Sequence, residues 1–259
     1  MPKLAANLTM LFNEVDFLAR FGAAAQAGFR GVEFLFPYAF EANQIAEQLK
    51  LHQLELVLHN LPAGDWAAGE RGIACHPNRV GEFQEGVARA IRYAQALGVK
   101  QLNCLAGIIP QGVSPDNAHK VLVENLKFAA NQLKAVGIRL LIEPINTFDI
   151  PGFYLCHTRQ ATEMIKDTGS DNLFVQYDIY HMQRMEGDLA NTIKAHLPLI
   201  KHVQLADNPG RFEPGTGEIN YRFLFSFLDE IGYDGWIGCE YKPKGNTTDG
   251  LSWLDAHGV

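Results

Sequence analysis

Short runs of apolar and β-branched residues alternate along the chain with longer segments whose apolar positions recur at helical spacing. Eight runs read as strands, at 4–10, 31–36, 54–60, 101–106, 139–144, 173–180, 200–207 and 235–241. Helical patterns lie between them at 14–27, 41–51, 80–97, 115–136, 158–168, 187–196 and 220–231, with a last one at 247–256. Several ends are marked. Ser114-Pro115 offers an N-cap followed by proline in the first turn. Gly28, Gly98, Gly137, Gly169 and Gly232 each stand just past a helical pattern, where a left-handed C-cap favours glycine. Eight β–α units in 259 residues predict an α/β fold, a (β/α)8 TIM barrel forming a single domain over 1–259. A doubly wound sheet fits less well, because no G-x-G-x-x-G follows the first strand. The segment 61–79, LPAGDWAAGERGIACHPNR, is long for a β–α connection and is expected to be an active-site loop.

In a parallel barrel alternate strand residues face the lumen, and active sites lie at the C-terminal ends of the strands. Taking the more apolar phase of each strand as helix-facing leaves Glu33, His59, Glu143, Asp178, Gln204 and Glu240 pointing inward, with Asn7, Asn103 and His202 lower in the lumen. Carboxylates buried in a barrel cost several kcal/mol each unless they are paired or hold a cation. A hydrogen-bonded network can satisfy one or two of them. Four acidic groups on strands 2, 5, 6 and 8 point instead to a divalent cation. Glu143, Asp178, Gln204 and Glu240 offer oxygen ligands, a set that suits Mg²⁺ or Mn²⁺ better than Zn²⁺.

Glu143 and Glu240, from strands 5 and 8, could pass a proton between neighbouring carbons of a bound hydroxy-ketone through an enediolate. His59 and His181 are expected to contact substrate. Arg71, Arg184, Arg211 and Lys242 are the cations available to an anionic one, although each alone could be a solvated surface charge.

Charge and composition narrow the partners. Lys and Arg number 22 against 29 Asp and Glu, a formal charge of −7, which speaks against a nucleic-acid binder. No run approaches the ~18 apolar residues of a membrane helix. The N-terminus lacks a signal-peptide core. Four cysteines without a C-x-x-C pair read as free thiols, so a cytoplasmic location is expected. The expected partner is a small 2-oxo or hydroxy acid, with no nucleic acid and no membrane; a homo-oligomer stays open.

At these residues the sequence resembles the hydroxypyruvate isomerase family of the xylose-isomerase-like barrels. The resemblance covers essentially the whole chain. It is carried by HNLPAGDWAAGERGIAC at 59–75, IEPIN at 142–146, QYDIYHMQRMEGD at 176–188, HVQLADNPGRFEPGTGEINY at 202–221 and GWIGCEYKP at 235–243. It implies reversible interconversion of hydroxypyruvate and tartronate semialdehyde, in glyoxylate metabolism. It also implies Glu143 and Glu240 as the proton-transfer pair, and Glu143, Asp178 and Glu240 as metal ligands. Many relatives carry histidine where Gln204 stands, a departure that implies weaker metal binding. A sister group acting on 2-oxo-tetronate shares EINY and GCEYKP and gives the alternative activity. Three other classes share the barrel or its chemistry. They are ketose 3-epimerases, non-catalytic sugar or metal binders, and a zinc-dependent nuclease family that needs a histidine-rich three-metal cluster and a basic face.

Overall fold

A computed structural model describes residues 3–254. Its strands are β1 (Lys3–Asn7), β2 (Gly31–Glu33), β3 (Glu55–Asn60), β4 (Gln101–Cys104), β5 (Arg139–Ile142), β6 (Leu173–Asp178), β7 (Ile200–Leu205) and β8 (Trp236–Cys239). They form one closed barrel in sequence order, every neighbouring pair parallel, with β8 closing onto β1. The helices are α1 (Phe17–Gln26), α2 (Ala42–Leu51), α3 (Val80–Leu97), α4 (Pro115–Lys134), α5 (Thr158–Thr168), α6 (Ile179–Met185), α7 (Leu189–His196) and α8 (Tyr221–Glu230). The TIM barrel expected from the alternating pattern is the fold found.

The apolar core has two parts, as the strand alternation requires. The larger lies between strands and helices and includes Phe21, Val32, Ile45, Leu102, Leu126, Leu140 and Val203. The smaller fills the lumen low in the barrel with Ala5, Val57, Leu58 and Leu141, against Phe174 and Trp236. The lumen is therefore plugged with apolar side chains at its N-terminal end, and polar ones gather above. Local signals behave as read: Ser114 Oγ accepts from the Asn117 N–H at 3.3 Å with Pro115 opening α4. The five predicted capping glycines all have positive φ.

Three elements differ from the sequence reading. The run 173–180 ends as a strand at Asp178, because the Asp178 carboxylate accepts from the N–H groups of Tyr180 and His181 and caps α6. The helix expected at 247–256 begins instead as a 3₁₀ turn at Thr248–Gly250, with helical residues at 253–254, and its end lies outside the described residues. The third difference is one of register. The β2·β3 pairing shifts between Val32 and Glu33, so that inward Glu33 lies beside Leu58. Leu58 then faces the lumen, and His59 pairs with helix-facing Leu102. His59 was expected to point inward. Instead it stacks near Phe34 and Tyr38, with ring centroids 6.4 and 6.0 Å away, on the helix side of the sheet.

The segment 61–79 is stitched down rather than free. Leu61 and Cys75 donate backbone hydrogen bonds to the carbonyls of Asn103 and Ala106, and Asn125 Nδ2 donates to the Ala74 carbonyl. Gly72 and Gly107 meet backbone to backbone: a Cβ on Gly72 would lie 2.5 Å from the Leu105 carbonyl oxygen, and one on Gly107 2.5 Å from that of Gly72. Among the described residues no helix is long and apolar enough to cross a membrane.

Candidate active site

Four buried groups converge at the upper end of the barrel: Glu143 just after β5, Asp178 at the end of β6, His181 in α6 and Glu240 just after β8. One ligating atom from each lies within 4.8 Å of the others. Local structure fixes each of them. Glu143 Oε2 accepts from Asn103 Nδ2 at 2.9 Å. Asp178 Oδ1 is held at 2.7 and 3.1 Å by the two α6 N–H groups it caps. Its Oδ2 is buried without a partner. Glu240 Oε1 accepts from Asn7 Nδ2 at 3.4 Å, and its Oε2 from Arg211 Nη2 at 2.7 Å. His181 Nε2 lies 3.8 Å from Glu143 Oε1 and 3.7 Å from Asp178 Oδ2, too far for a hydrogen bond to either.

Burial and mutual repulsion dominate the electrostatics. Burial lifts the Glu143 pKa well above the usual carboxylate range, and the charges of Glu240 and Asp178 lift it further. Burial pushes Glu240 up to about 8, even though Arg211 pulls it down. Asp178 is raised by burial, with Arg211 and its capping bonds opposing. Burial, with Arg211 and Arg184 nearby, holds His181 well below its ordinary value, as a neutral ring. Three carboxylates crowded in low dielectric, one with an unpartnered oxygen, stand with the His181 ring as a donor set that could hold a divalent cation. The residues fit the metal their chemistry implies.

Gln204 does not belong to that set. Its Nε2 donates to Glu33 Oε1 at 2.7 Å, and its Oε1 accepts from Gln176 Nε2 at 2.6 Å, so the oxygen expected to ligate is already engaged. Glu33 receives two further bonds, from Asn7 Nδ2 at 2.9 Å and from His202 Nε2 at 2.6 Å. This is a buried hydrogen-bonded network beneath the cluster, with Gln176 Oε1 and His202 Nδ1 left without partners. Gly238 makes room for it, since a Cβ there would lie 2.3 Å from the Glu33 carboxylate. Asn7 bridges the two levels.

The cations expected over the ring divide. Arg211 is partly buried beside Glu240, with its guanidinium 5.2 Å over the Tyr180 ring and 3.6 Å from Asp149. Burial opposes its charge, but Glu240, Asp178, Asp149 and Glu143 together hold its pKa above normal. The loop that carries it is organised by Asp207, whose carboxylate accepts from the N–H groups of Asn208, Gly215, Gly217 and Ile219. That accounts for the Gly-rich, Asp-led motif there. Arg184 reaches Asp149 at 2.6 Å and the Tyr180 hydroxyl at 2.8 Å. Arg71 is occupied within its own loop. It donates to the Trp66 and Glu70 carbonyls and lies 4.2 Å over the Trp66 ring. Lys242 is exposed, and its backbone N–H donates to the Arg211 carbonyl at 2.8 Å. His59 is enclosed away from the cluster, and burial drops its pKa to about 4.

Sequence reasoning missed Asn146 and Asp149, which follow Glu143 in a loop without periodicity. The signal available was the Asn-Thr-Phe-Asp run, a pattern that builds an Asx turn. Asn146 Oδ1 does accept from the N–H groups of Phe148 and Asp149.

Residues 21–257 match the family described as xylose isomerase-like TIM barrel. The hydroxypyruvate isomerase of Escherichia coli (strain K12) is 60% identical over 257 residues, spanning 99% of this chain and 100% of that protein. The 2-oxo-tetronate isomerase of Cupriavidus necator is 47% identical over 254 residues, 98% of each chain. A crystal structure from Brucella melitensis, described as an AP endonuclease, family 2, superposes with a TM-score of 0.96 at 47% identity over 99% of each chain. With the match running end to end, the chain belongs to the xylose isomerase-like TIM-barrel family, within its hydroxypyruvate isomerase group.

Proposed function

We propose that this isomerase interconverts hydroxypyruvate and tartronate semialdehyde (2-hydroxy-3-oxopropanoate), with Glu143 and Glu240 as its proton-transfer pair. The observation that carries this reading is the pair itself. Two buried carboxylates face one basin, and Glu240 is raised to about 8, where a group can both take and return a proton near neutrality. One carboxylate, ionised, takes a C3 proton from hydroxypyruvate and leaves an enediolate. The other, protonated, delivers a proton to C2, while the hydroxyl proton passes from the C3 oxygen to the C2 oxygen. The reverse reaction exchanges the two roles.

Glu143, Asp178 and Glu240 would hold a divalent cation of the Mg²⁺ or Mn²⁺ type. Such a cation supplies positive charge opposite the charge that builds on the substrate oxygens. Arg211 takes the substrate carboxylate, as the partly buried cation beside the pair. His181 Nε2 faces a substrate oxygen. Arg71 and Lys242 are left to the rim. We place the reaction in the cytoplasm, in glyoxylate metabolism.

The kinship with 2-oxo-tetronate isomerases supports a second substrate, one carbon longer, handled by the same groups. A nuclease reading, suggested by the description of the Brucella structure, fits poorly with a formal charge of −7 and one histidine in the cluster. Proton NMR of the protein with hydroxypyruvate in D₂O, with and without chelator, tests the proposal. Tartronate semialdehyde carrying deuterium at C2 is expected. No conversion of hydroxypyruvate alongside turnover of the four-carbon acid would overturn the substrate assignment.

A further inference from the structure

Asn146 is fully buried and uses every hydrogen bond its amide can make. Its Oδ1 accepts from the backbone N–H of Phe148 at 3.1 Å and of Asp149 at 2.8 Å. Its Nδ2 donates to Asp149 Oδ2 at 3.2 Å and approaches His181 Nδ1 at 2.6 Å. The orientation of an amide is assigned from its network, and here three partners agree. A flipped amide would set its oxygen against the Asp149 carboxylate and its NH₂ against two N–H donors. The end facing His181 is therefore the donor, and His181 Nδ1 must accept.

A ring whose Nδ1 accepts is neutral and carries its proton on Nε2. That Nε2 is the atom aimed between Glu143 and Asp178, 3.8 and 3.7 Å away, with neither in hydrogen-bond reach. A protonated Nε2 has no lone pair for a metal, but it is a free donor for a substrate oxygen. We propose that Asn146 is a positioning residue: its amide locks His181 as the Nε2–H tautomer, which makes the ring a hydrogen-bond donor to substrate and keeps it out of the cation's ligand set. The role given to His181 toward substrate rests on the isomerase reading above; the tautomer does not.

The test is nitrogen NMR of metal-free protein labelled with ¹⁵N-histidine, the His181 signals being identified by their loss in His181→Gln. The pattern of ring N–C–H couplings distinguishes the tautomers. The Nε2–H form is expected in the unaltered protein. In Asn146→Asp, a carboxylate that can only accept faces Nδ1, and the proton should move there. An Nδ1–H or imidazolium ring in the unaltered protein would overturn the proposal, and so would an Nε2–H tautomer that persists in Asn146→Asp. Should that variant fail to fold, the spectrum of the unaltered protein still decides.

Pulsed EPR of the Mn²⁺-loaded protein gives a second readout. No directly bonded imidazole nitrogen is expected in the unaltered protein, and one should appear in Asn146→Asp. A bonded nitrogen in the unaltered protein that vanishes in His181→Gln would overturn the proposal. Turnover should fall roughly 10–100-fold in Asn146→Asp, the usual effect of losing an orienting partner. A purely structural Asn146 would cost stability and leave the tautomer unchanged. Failure to isomerise hydroxypyruvate would leave the spectra as they are, so the two readings fail separately.

Discussion

Arg211 Nη2 donates to Glu240 Oε2 at 2.7 Å, so the cation best placed for the substrate carboxylate rests on a member of the proposed proton-transfer pair. Substrate anchoring and the acid–base pair are thus joined through one guanidinium. Removing a charged partner costs about 1.5–3 kcal/mol. Arg211→Gln should therefore raise KM for hydroxypyruvate by roughly 10–150-fold, measured from initial rates. An unchanged KM would separate Arg211 from the substrate.

Glu143→Gln and Glu240→Gln should each lower kcat by ~10²–10⁴-fold. Each also removes a buried charge from a repulsive cluster, so the metal-free variants should melt no lower than the parent, and calorimetry would show it. Near-parental turnover in either one would sink the paired-carboxylate mechanism.

The raised carboxylates make stability depend on pH in a defined direction. Glu240 has a folded pKa of about 8 against an ordinary 4.5. Its contribution is fully present below about pH 4.5, declines as the unfolded chain ionises, and is gone above about pH 8. Metal-free protein should therefore lose melting temperature from acid toward pH 8 on this account. Added Mg²⁺ or Mn²⁺ should restore it most at the alkaline end, where the ligands are ionised, and chelator should reverse the gain. A cation that raised the melting temperature equally at pH 5 and pH 8 would argue against these ligands.

Gln204 Nε2 donates to Glu33 Oε1, and its Oε1 accepts from Gln176. Gln204→Met removes at similar volume one of the two donors to Glu33 Oε1 and leaves the buried Gln176 Nε2 without its acceptor, a loss of about 1–3 kcal/mol. Denaturant titration should show that loss, while Mn²⁺ affinity stays at the parental value. A large fall in affinity with stability intact would return Gln204 to the ligand set.

His59 carries the opposite pH signature to Glu240. Burial holds its folded pKa at about 4 against an ordinary 6.5. The stability linked to its neutral form is present above pH 6.5 and lost as pH falls through 4, on the order of 3 kcal/mol in all. His59→Leu should flatten that part of the acid limb while leaving KM near the parental value. A KM that rises tenfold would put His59 back against the substrate.

The two misplaced residues show what sequence pattern carries and what it does not. Alternation along each strand located Glu33, Asp178 and Glu240 in the lumen, even though pairing is irregular between Val32 and Glu33 and between Val175 and Gln176. It failed at His59, because the irregularity between β2 and β3 moves one strand by a residue relative to the other and exchanges the faces of Leu58 and His59. No periodicity records the bulge, in which Val57 of β3 is left between Leu56 and Leu58 without a partner in β2. Gln204 was placed on the correct face, but its hydrogen bond to Glu33 was not legible, since polarity in a lumen does not say which of two stacked carboxylates a side chain meets. The helix α6 was hidden for a related reason. Its apolar residues continue those of β6 without a break, and the aspartate that ends one element and starts the other was read only for its charge.

Gly72 and Gly107 belong to different loops, yet each occupies space that a methyl group on the other would need. Neither position can accept a side chain unless the opposite backbone retreats, so the two are interlocked like a tenon and its mortise. The segment 61–79 is therefore joined at its base to the loop after β4, and a side chain gained at either glycine would have to be answered by movement at the other, so the joint is inherited as a pair.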